Sequence, residues 1–137
     1  MERVGLEDAH VESRKILVVA ALGDSKGTAR AMELLRVKSK PGVEVLSALR
    51  DVDWNAVRQA EGGWTQAYEW AARQYDSICA VPVDGADGLS RGVFSMVKAA
   101  LDLGKPVLAI RAGELIKVER AYVVDPQEYK GVHGRLT

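Results

Sequence analysis

Residues 77–110 constrain the fold of this chain more than any other segment. They read as an apolar run (SICAVPV), a loop rich in Asp and Gly, an amphipathic run (VFSMVKAALDLGKP) and a second apolar run (VLAI). Apolar runs bounded by turn residues are typical of buried strands, and the amphipathic run predicts a helix over 93–103 that stops at 104–106. A helix that joins two strands predicts a parallel sheet. The loop would then end at a helix N-terminus, where free N–H groups attract anions.

The rest of the chain continues this alternation. Strands are predicted at 16–22, 43–49, 77–83, 107–110 and 121–124, and helices at 28–38, 54–58, 64–75 and 93–103. Residues 1–14 are predicted to be an N-terminal arm, 15–137 a single Rossmann-like domain, and the tail loosely packed. The pattern predicts an α/β fold, a Rossmann-like three-layer sandwich with a mostly parallel sheet of four or five strands.

Composition narrows the classes of partner. The formal net charge is zero, so nucleic acid is not expected as a main partner, because such binding depends on excess Lys and Arg. The N-terminal residues lack the apolar run of a signal peptide, and the longest apolar run, 16–22, is too short to cross a bilayer. With one Cys and two His, neither a disulfide nor a zinc site is expected. We predict a soluble, cytoplasmic protein with no membrane partner, no metal and no cofactor.

The loop after the first strand is a candidate phosphate site. Its glycines permit close backbone approach, its hydroxyls can donate hydrogen bonds, and its lysine carries a positive charge. An alternative interpretation is a turn whose Ser, Asp or Thr caps the following helix. The residues assigned to ligand binding here are Gly23, Asp24, Ser25, Lys26, Gly27 and Thr28.

The loop 84–92 is the second candidate. Ser90, Arg91 and Gly92 stand where a helix begins, and are predicted to hold an anion. Asp84 and Asp87 are predicted to contact ribose hydroxyls or a base, because their carboxylates would repel phosphate, and Gly85 is assigned to ligand binding with them. The alternative is an acidic turn without a ligand.

Two further features are ambiguous. Asp51 follows the second strand and is predicted either to bind ribose or, with Asp53 as the alternative, to cap a helix. The helix 64–75 is predicted to bury Trp64, Tyr68 and Tyr75 on its sheet-facing side. The remaining tryptophan of that helix, at position 70, lies off that face and is assigned to a base or a subunit interface, with core packing as the alternative.

The segment 77–110 resembles the SLOG superfamily, which includes the cytokinin-activating LOG proteins and the Rossmann domain of DNA-processing protein A, and also the nucleoside 2-deoxyribosyltransferases. The resemblance is carried by Ser90-Arg91-Gly92 at the helix start and by Gly104-Lys105-Pro106-Val107 at its end. Met96 stands where the deoxyribosyltransferases carry their nucleophilic glutamate. The LOG pattern GGxGTxxE is also absent, since Val93 replaces its threonine.

This resemblance implies a nucleotide or nucleotide-derived small molecule as ligand, bound by a homo-oligomer. Two alternatives stay open. One is an N-glycoside hydrolase or transferase that uses a relocated carboxylate such as Asp24, Asp84 or Asp87. The other is a non-catalytic oligomeric interaction module with the tryptophan-rich segment as its contact surface.

Overall fold

The computed structural model describes residues 15–21, 23–83, 88–123 and 134–136. The eight strands in this part of the chain are β1 (Lys15–Val19), β2 (Glu44–Ser47), β3 (Ser77–Ala80), β4 (Gly88–Leu89), β5 (Val107–Arg111), β6 (Glu114–Val118), β7 (Ala121–Val123) and β8 (Gly134–Leu136). The helices are α1 (Ser25–Lys38), α2 (Ala48–Asp51), α3 (Trp54–Glu61), α4 (Trp64–Gln74) and α5 (Arg91–Asp102). The predicted arm 1–14 lies outside the described residues.

The main sheet has five strands in the order β2-β1-β3-β5-β6. The first four run parallel, and β6 pairs antiparallel with β5. The predicted α/β fold with a mostly parallel sheet is therefore confirmed. The chain leaves β1 toward β2 on one side and later adds β3 on the other side. In open α/β sheets a ligand crevice forms at such a reversal, beyond the carboxyl ends of the strands.

Helices pack on both sides of this sheet. Leu17 and Val19 of β1 belong to a core cluster that includes residues of α4 and α5. Ile16 and Val18 belong to a second cluster with Met32 and other residues of α1. Successive side chains of a strand point to opposite faces, so α1 covers one face while α4 and α5 cover the other. None of the helices in the described ranges has the length and apolar character needed to cross a membrane.

A small antiparallel sheet, in the order β4-β8-β7, holds the chain just before α5. Leu89 of β4 and Leu136 of β8 are buried in the core cluster beneath α5. Two predictions are therefore wrong: part of the segment 84–92 is a strand, and residues 134–136 of the tail are packed. The physical consequence is that Ser90 follows directly from a paired strand, which fixes the position where α5 begins.

Several predicted boundaries also differ. The first strand ends at Val19 instead of residue 22, and the third at Ala80 instead of 83. The second ends at Ser47 because α2 follows, and β6 was not predicted. β6 follows a two-residue turn in which Ala112 and Gly113 have φ values of 51° and 77°. Glycine is the usual residue for that conformation, so the Ala-Gly pair gave a weak hairpin signal.

Helix α1 begins at Ser25, three residues before the predicted start. The Asp24 carboxylate accepts a hydrogen bond from the Gly27 N–H at 2.9 Å, so Asp24 is the N-cap. The buried face of α1 consists of Thr28, Ala31, Met32 and Leu35. Ala29 and Arg36 of the same helix are exposed.

Candidate functional site

A cavity of about 520 Å³ lies at the carboxyl end of β1. Val19, Ala20 and Ala21 form its floor, and Ala48 and Leu49 of α2 form one side. The remaining walls come from aromatic residues of α3 and α4 and from the start of α5. We call it the aromatic cavity. Its size falls in the range of small-molecule sites, and its place matches the ligand crevice of α/β folds.

The aromatic wall consists of Trp54, Trp64 and Tyr68. The ring centroids of Trp54 and Tyr68 are 5.7 Å apart with a 56° tilt, and those of Trp64 and Tyr68 are 5.9 Å apart at 25°. The Trp54 indole N–H donates to the Ala48 carbonyl at 2.8 Å, and the Arg58 guanidinium lies 5.3 Å from the Trp64 ring centroid. These contacts hold a set of flat apolar surfaces, which suits another planar ring.

The start of α5 forms the facing wall. Ser90 is its N-cap, with extended backbone, and its side chain makes no capping hydrogen bond. No acidic side chain lies in the first turn or at the N-cap of α5, whereas the N-cap of α1 is Asp24, whose carboxylate accepts a main-chain hydrogen bond. The N–H groups of Arg91, Gly92 and Val93 therefore lack a side-chain cap among the described residues. Such a helix start favours a negatively charged group.

Tyr68 lies where the aromatic wall meets the start of α5. A Cβ atom placed on Gly92 would lie 3.6 Å from the Tyr68 hydroxyl oxygen, so this hydroxyl sits beside the first turn of α5. Burial raises the pKa of Tyr68, and the nearby positive charge of Arg91 opposes that shift. The hydroxyl is therefore protonated at neutral pH and can donate a hydrogen bond. Tyr68 and Arg91 also line a neighbouring groove of about 640 Å³ between α4 and α5.

Charge in the aromatic cavity is positive and sparse. Arg91 is the one charged side chain among the described lining residues, and no carboxylate, histidine or cysteine lines the cavity there. Met96 lies in the wall, at the place where the resemblance puts a nucleophilic glutamate. Within the described ranges no group of three His, Cys, Asp or Glu side chains is arranged to hold a metal ion. This lining suits a ligand with a flat apolar part and an anionic part.

Residues 23–28, which comprise a turn and the first residues of α1, do not reach the aromatic cavity. Asp24, Lys26 and Gly27 line a different cavity of about 790 Å³, beside α1. Within this segment, Asp24 accepts from the Gly27 N–H, and the Thr28 hydroxyl donates to the Asp24 carbonyl at 2.9 Å. The geometry is that of the helix-capping alternative. The phosphate role of Gly23–Thr28 stays a prediction, in which phosphate would compete with the Asp24 carboxylate for the same N–H group.

Asp51 is engaged in local structure at the end of α2. Its carboxylate accepts from the Ser47 N–H at 2.7 Å and pairs with Arg50 at 3.2 Å. The hydrogen bonds from Arg50 and Ser47 lower the pKa of Asp51. It does not line the aromatic cavity, and its ribose role stays a prediction. Asp53, the alternative, caps α3 by accepting from the Ala56 N–H at 3.2 Å.

The remaining predicted residues divide into two groups. Ser90, Arg91 and Gly92 lie together in the aromatic cavity. Asp84, Gly85 and Asp87 lie outside the described residues.

The environments of the two tryptophans of α4 differ from those assigned from the sequence. Trp64 was predicted to be core, yet it is 46% exposed, whereas Trp70 packs against the core cluster. Ala67, Ala71 and Ala72 are the residues of α4 that are completely buried. The spacing of these alanines was the signal that could have placed the aromatic rings at the flank, where Trp64 and Tyr68 form a cavity wall.

No protein-family model, no curated protein and no solved structure shows a significant match to this chain.

Proposed function

We propose that this protein binds a nucleotide or nucleotide-derived ligand in the aromatic cavity. The base would lie against Trp54, Trp64 and Tyr68, and the phosphate at Arg91 and the first N–H groups of α5. One observation carries the proposal: an aromatic wall and an uncapped helix start face the same cavity. With it we propose that the fold is a Rossmann-like three-layer sandwich of the SLOG type.

The chemistry of a nucleotide fits both walls. Stacking of a base on aromatic side chains contributes about 1–3 kcal/mol per base. A hydrogen bond to a charged group contributes about 1.5–3 kcal/mol, and the start of α5 offers Arg91 and main-chain N–H groups for such bonds. Neither wall alone accounts for the ligand class, because stacking selects planar rings and the helix start selects anions.

Thermal unfolding in the presence of a ligand panel tests this proposal. The panel contains nucleosides, mono- and dinucleotides, cyclic dinucleotides and sugar phosphates. A ligand at a hundred times its dissociation constant stabilises the folded state by about 2.7 kcal/mol, which raises the midpoint by several degrees. We expect nucleotides to raise the midpoint and sugar phosphates without a base to have little effect. If no nucleotide raises the midpoint, the proposal is wrong.

The glycosidase alternative needs a carboxylate near the ligand, and the described lining of the aromatic cavity provides none. It remains a prediction tied to Asp24, Asp84 and Asp87. Release of free base from a nucleoside monophosphate, abolished by an Asp→Asn variant, would support it.

Homo-oligomer formation is also a proposal. Trp64 and Leu103, which are 46% and 45% exposed, line the groove between α4 and α5 and offer apolar contact area. Light scattering coupled to size-exclusion chromatography measures the oligomeric state of the wild-type protein and of Trp64→Ala. A monomeric wild-type protein would contradict an oligomeric interaction module.

A further inference from the structure

We infer that the Tyr68 hydroxyl selects ligands that carry an anionic group, by donating a hydrogen bond to that group in the aromatic cavity. This inference rests on the proposed nucleotide function and assigns a specificity role to a residue that the sequence had placed in the core.

The position of the Tyr68 hydroxyl supports this role in selecting anionic ligands. The Tyr68 hydroxyl lies beside Gly92, where the main-chain N–H groups of α5 begin. The same side chain lines both the aromatic cavity and the groove between α4 and α5, as do Trp64 and Arg91. A ligand anion held by Arg91 and the first turn of α5 would therefore meet the hydroxyl of Tyr68.

The Tyr68 hydroxyl is also available as a hydrogen-bond donor. Within the described part of the chain, the Tyr68 hydroxyl makes no hydrogen bond to another residue, although the residue is half-buried. A polar group in such a place loses water contacts when a ligand enters, and it regains them only if the ligand accepts a hydrogen bond. A neutral apolar ligand would leave the hydroxyl without a partner, so the hydroxyl disfavours it.

Rigidity makes the donor selective. The Tyr68 ring is held between Trp54 and Trp64, with centroid distances of 5.7 Å and 5.9 Å. A donor that is already oriented loses little conformational entropy when the hydrogen bond forms. Tyr68→Phe removes the donor and leaves the aromatic wall, so it should change the preference for the anion and keep the stacking.

Isothermal titration tests this with the four ribonucleoside 5′-monophosphates and the four corresponding nucleosides. The proteins are the wild type, Tyr68→Phe and the matched control Tyr75→Phe, whose ring is buried in the main core cluster away from the lining of the aromatic cavity. We expect Tyr68→Phe to weaken monophosphate binding about tenfold and nucleoside binding less than twofold, as for the loss of one charge-assisted hydrogen bond. Tyr75→Phe should leave the ratio of the two affinities unchanged.

The outcomes separate the two proposals. A purely structural role of Tyr68 would weaken monophosphates and nucleosides equally, and that result overturns the inference. Equal monophosphate affinity in the wild type and Tyr68→Phe also overturns it, while the proposed function stands. If nucleosides bind too weakly to measure, a tenfold loss for the monophosphate with an unchanged unfolding midpoint supports the inference, and any other result overturns it. A wild type that binds no monophosphate overturns both.

Discussion

Replacing Gly92 with alanine is expected to increase the stability of the fold and to weaken nucleotide binding. Gly92 lies in the first turn of α5 with ordinary helical backbone, and the added Cβ would lie 3.6 Å from the Tyr68 hydroxyl, a normal van der Waals distance. Glycine within a helix costs roughly 0.5–1 kcal/mol relative to alanine, and the first turn falls at the low end. For a chain of 137 residues we expect the unfolding midpoint to rise by about 2 °C. Nucleotide affinity should fall, because the methyl group narrows the space between Tyr68 and the helix start.

Gly104→Ala is the matched control at the other end of α5. No atom lies within 4 Å of its added Cβ, but its φ is +72°. An L-residue in this left-handed conformation costs roughly 1–2 kcal/mol, so we expect the midpoint to fall by about 4–7 °C with no change in nucleotide affinity. Differential scanning calorimetry of both variants measures these shifts. Equal destabilisation by the two substitutions would refute the backbone conformation assigned to Gly92 and the ordinary van der Waals distance between its added Cβ and Tyr68.

Three further predictions concern charge and reactivity. Arg91→Gln should weaken nucleotide binding about tenfold and flatten its salt dependence in titrations at low and high salt, whereas an equal loss in Arg30→Gln would favour the cavity beside α1. The Asp51 carboxylate has a lowered pKa, so its contribution to stability is present above its ordinary value of 3.8 and is lost as the pH falls through the folded-state value. In urea unfolding, the wild type should therefore have a higher free energy of unfolding than Asp51→Asn at pH 7 and about the same free energy at low pH. An equal difference at both pH values would contradict this. Burial raises the pKa of Cys79 to about 12, so a disulfide reagent at pH 8 should modify the unfolded protein and leave the native thiol unmodified.

The sequence predicts the parallel part of the sheet well because its signal is local. The apolar runs of β1, β3 and β5 are continuous, and the Gly-Lys-Pro sequence ends α5 close to the predicted residue. Strand β6 shows the limit, since two adjacent residues, Leu115 and Ile116, are both buried, so strict alternation is absent, and the strand follows an Ala-Gly turn that lacks the usual glycine or asparagine pattern. Its place at the sheet edge depends on pairing with β5, which local sequence does not specify.

The candidate site was harder to predict, because its parts are far apart in sequence. The helix start at Ser90–Gly92 follows from local pattern, whereas its aromatic partners are more than twenty residues away in sequence and meet it only in the fold. Large side chains were assigned to the buried face of α4, but α4 approaches the sheet through completely buried Ala67 and Ala71. Close packing through small residues displaces Trp64 and Tyr68 to the flank. The spacing of the alanines is the local signal of this, and it is outweighed when hydrophobic size alone is used to choose the buried face.

The most direct test of the central claim is an NMR titration of the ¹⁵N-labelled protein with the ribonucleoside 5′-monophosphates. Binding in the aromatic cavity predicts shifts of the main-chain amides 91–93 together with the indole N–H groups of Trp54 and Trp64. The signals of amides 23–28 should shift little, since Asp24, Lys26 and Gly27 line the other cavity. Shifts confined to 23–28, or no shift at any concentration, would contradict nucleotide binding at the start of α5.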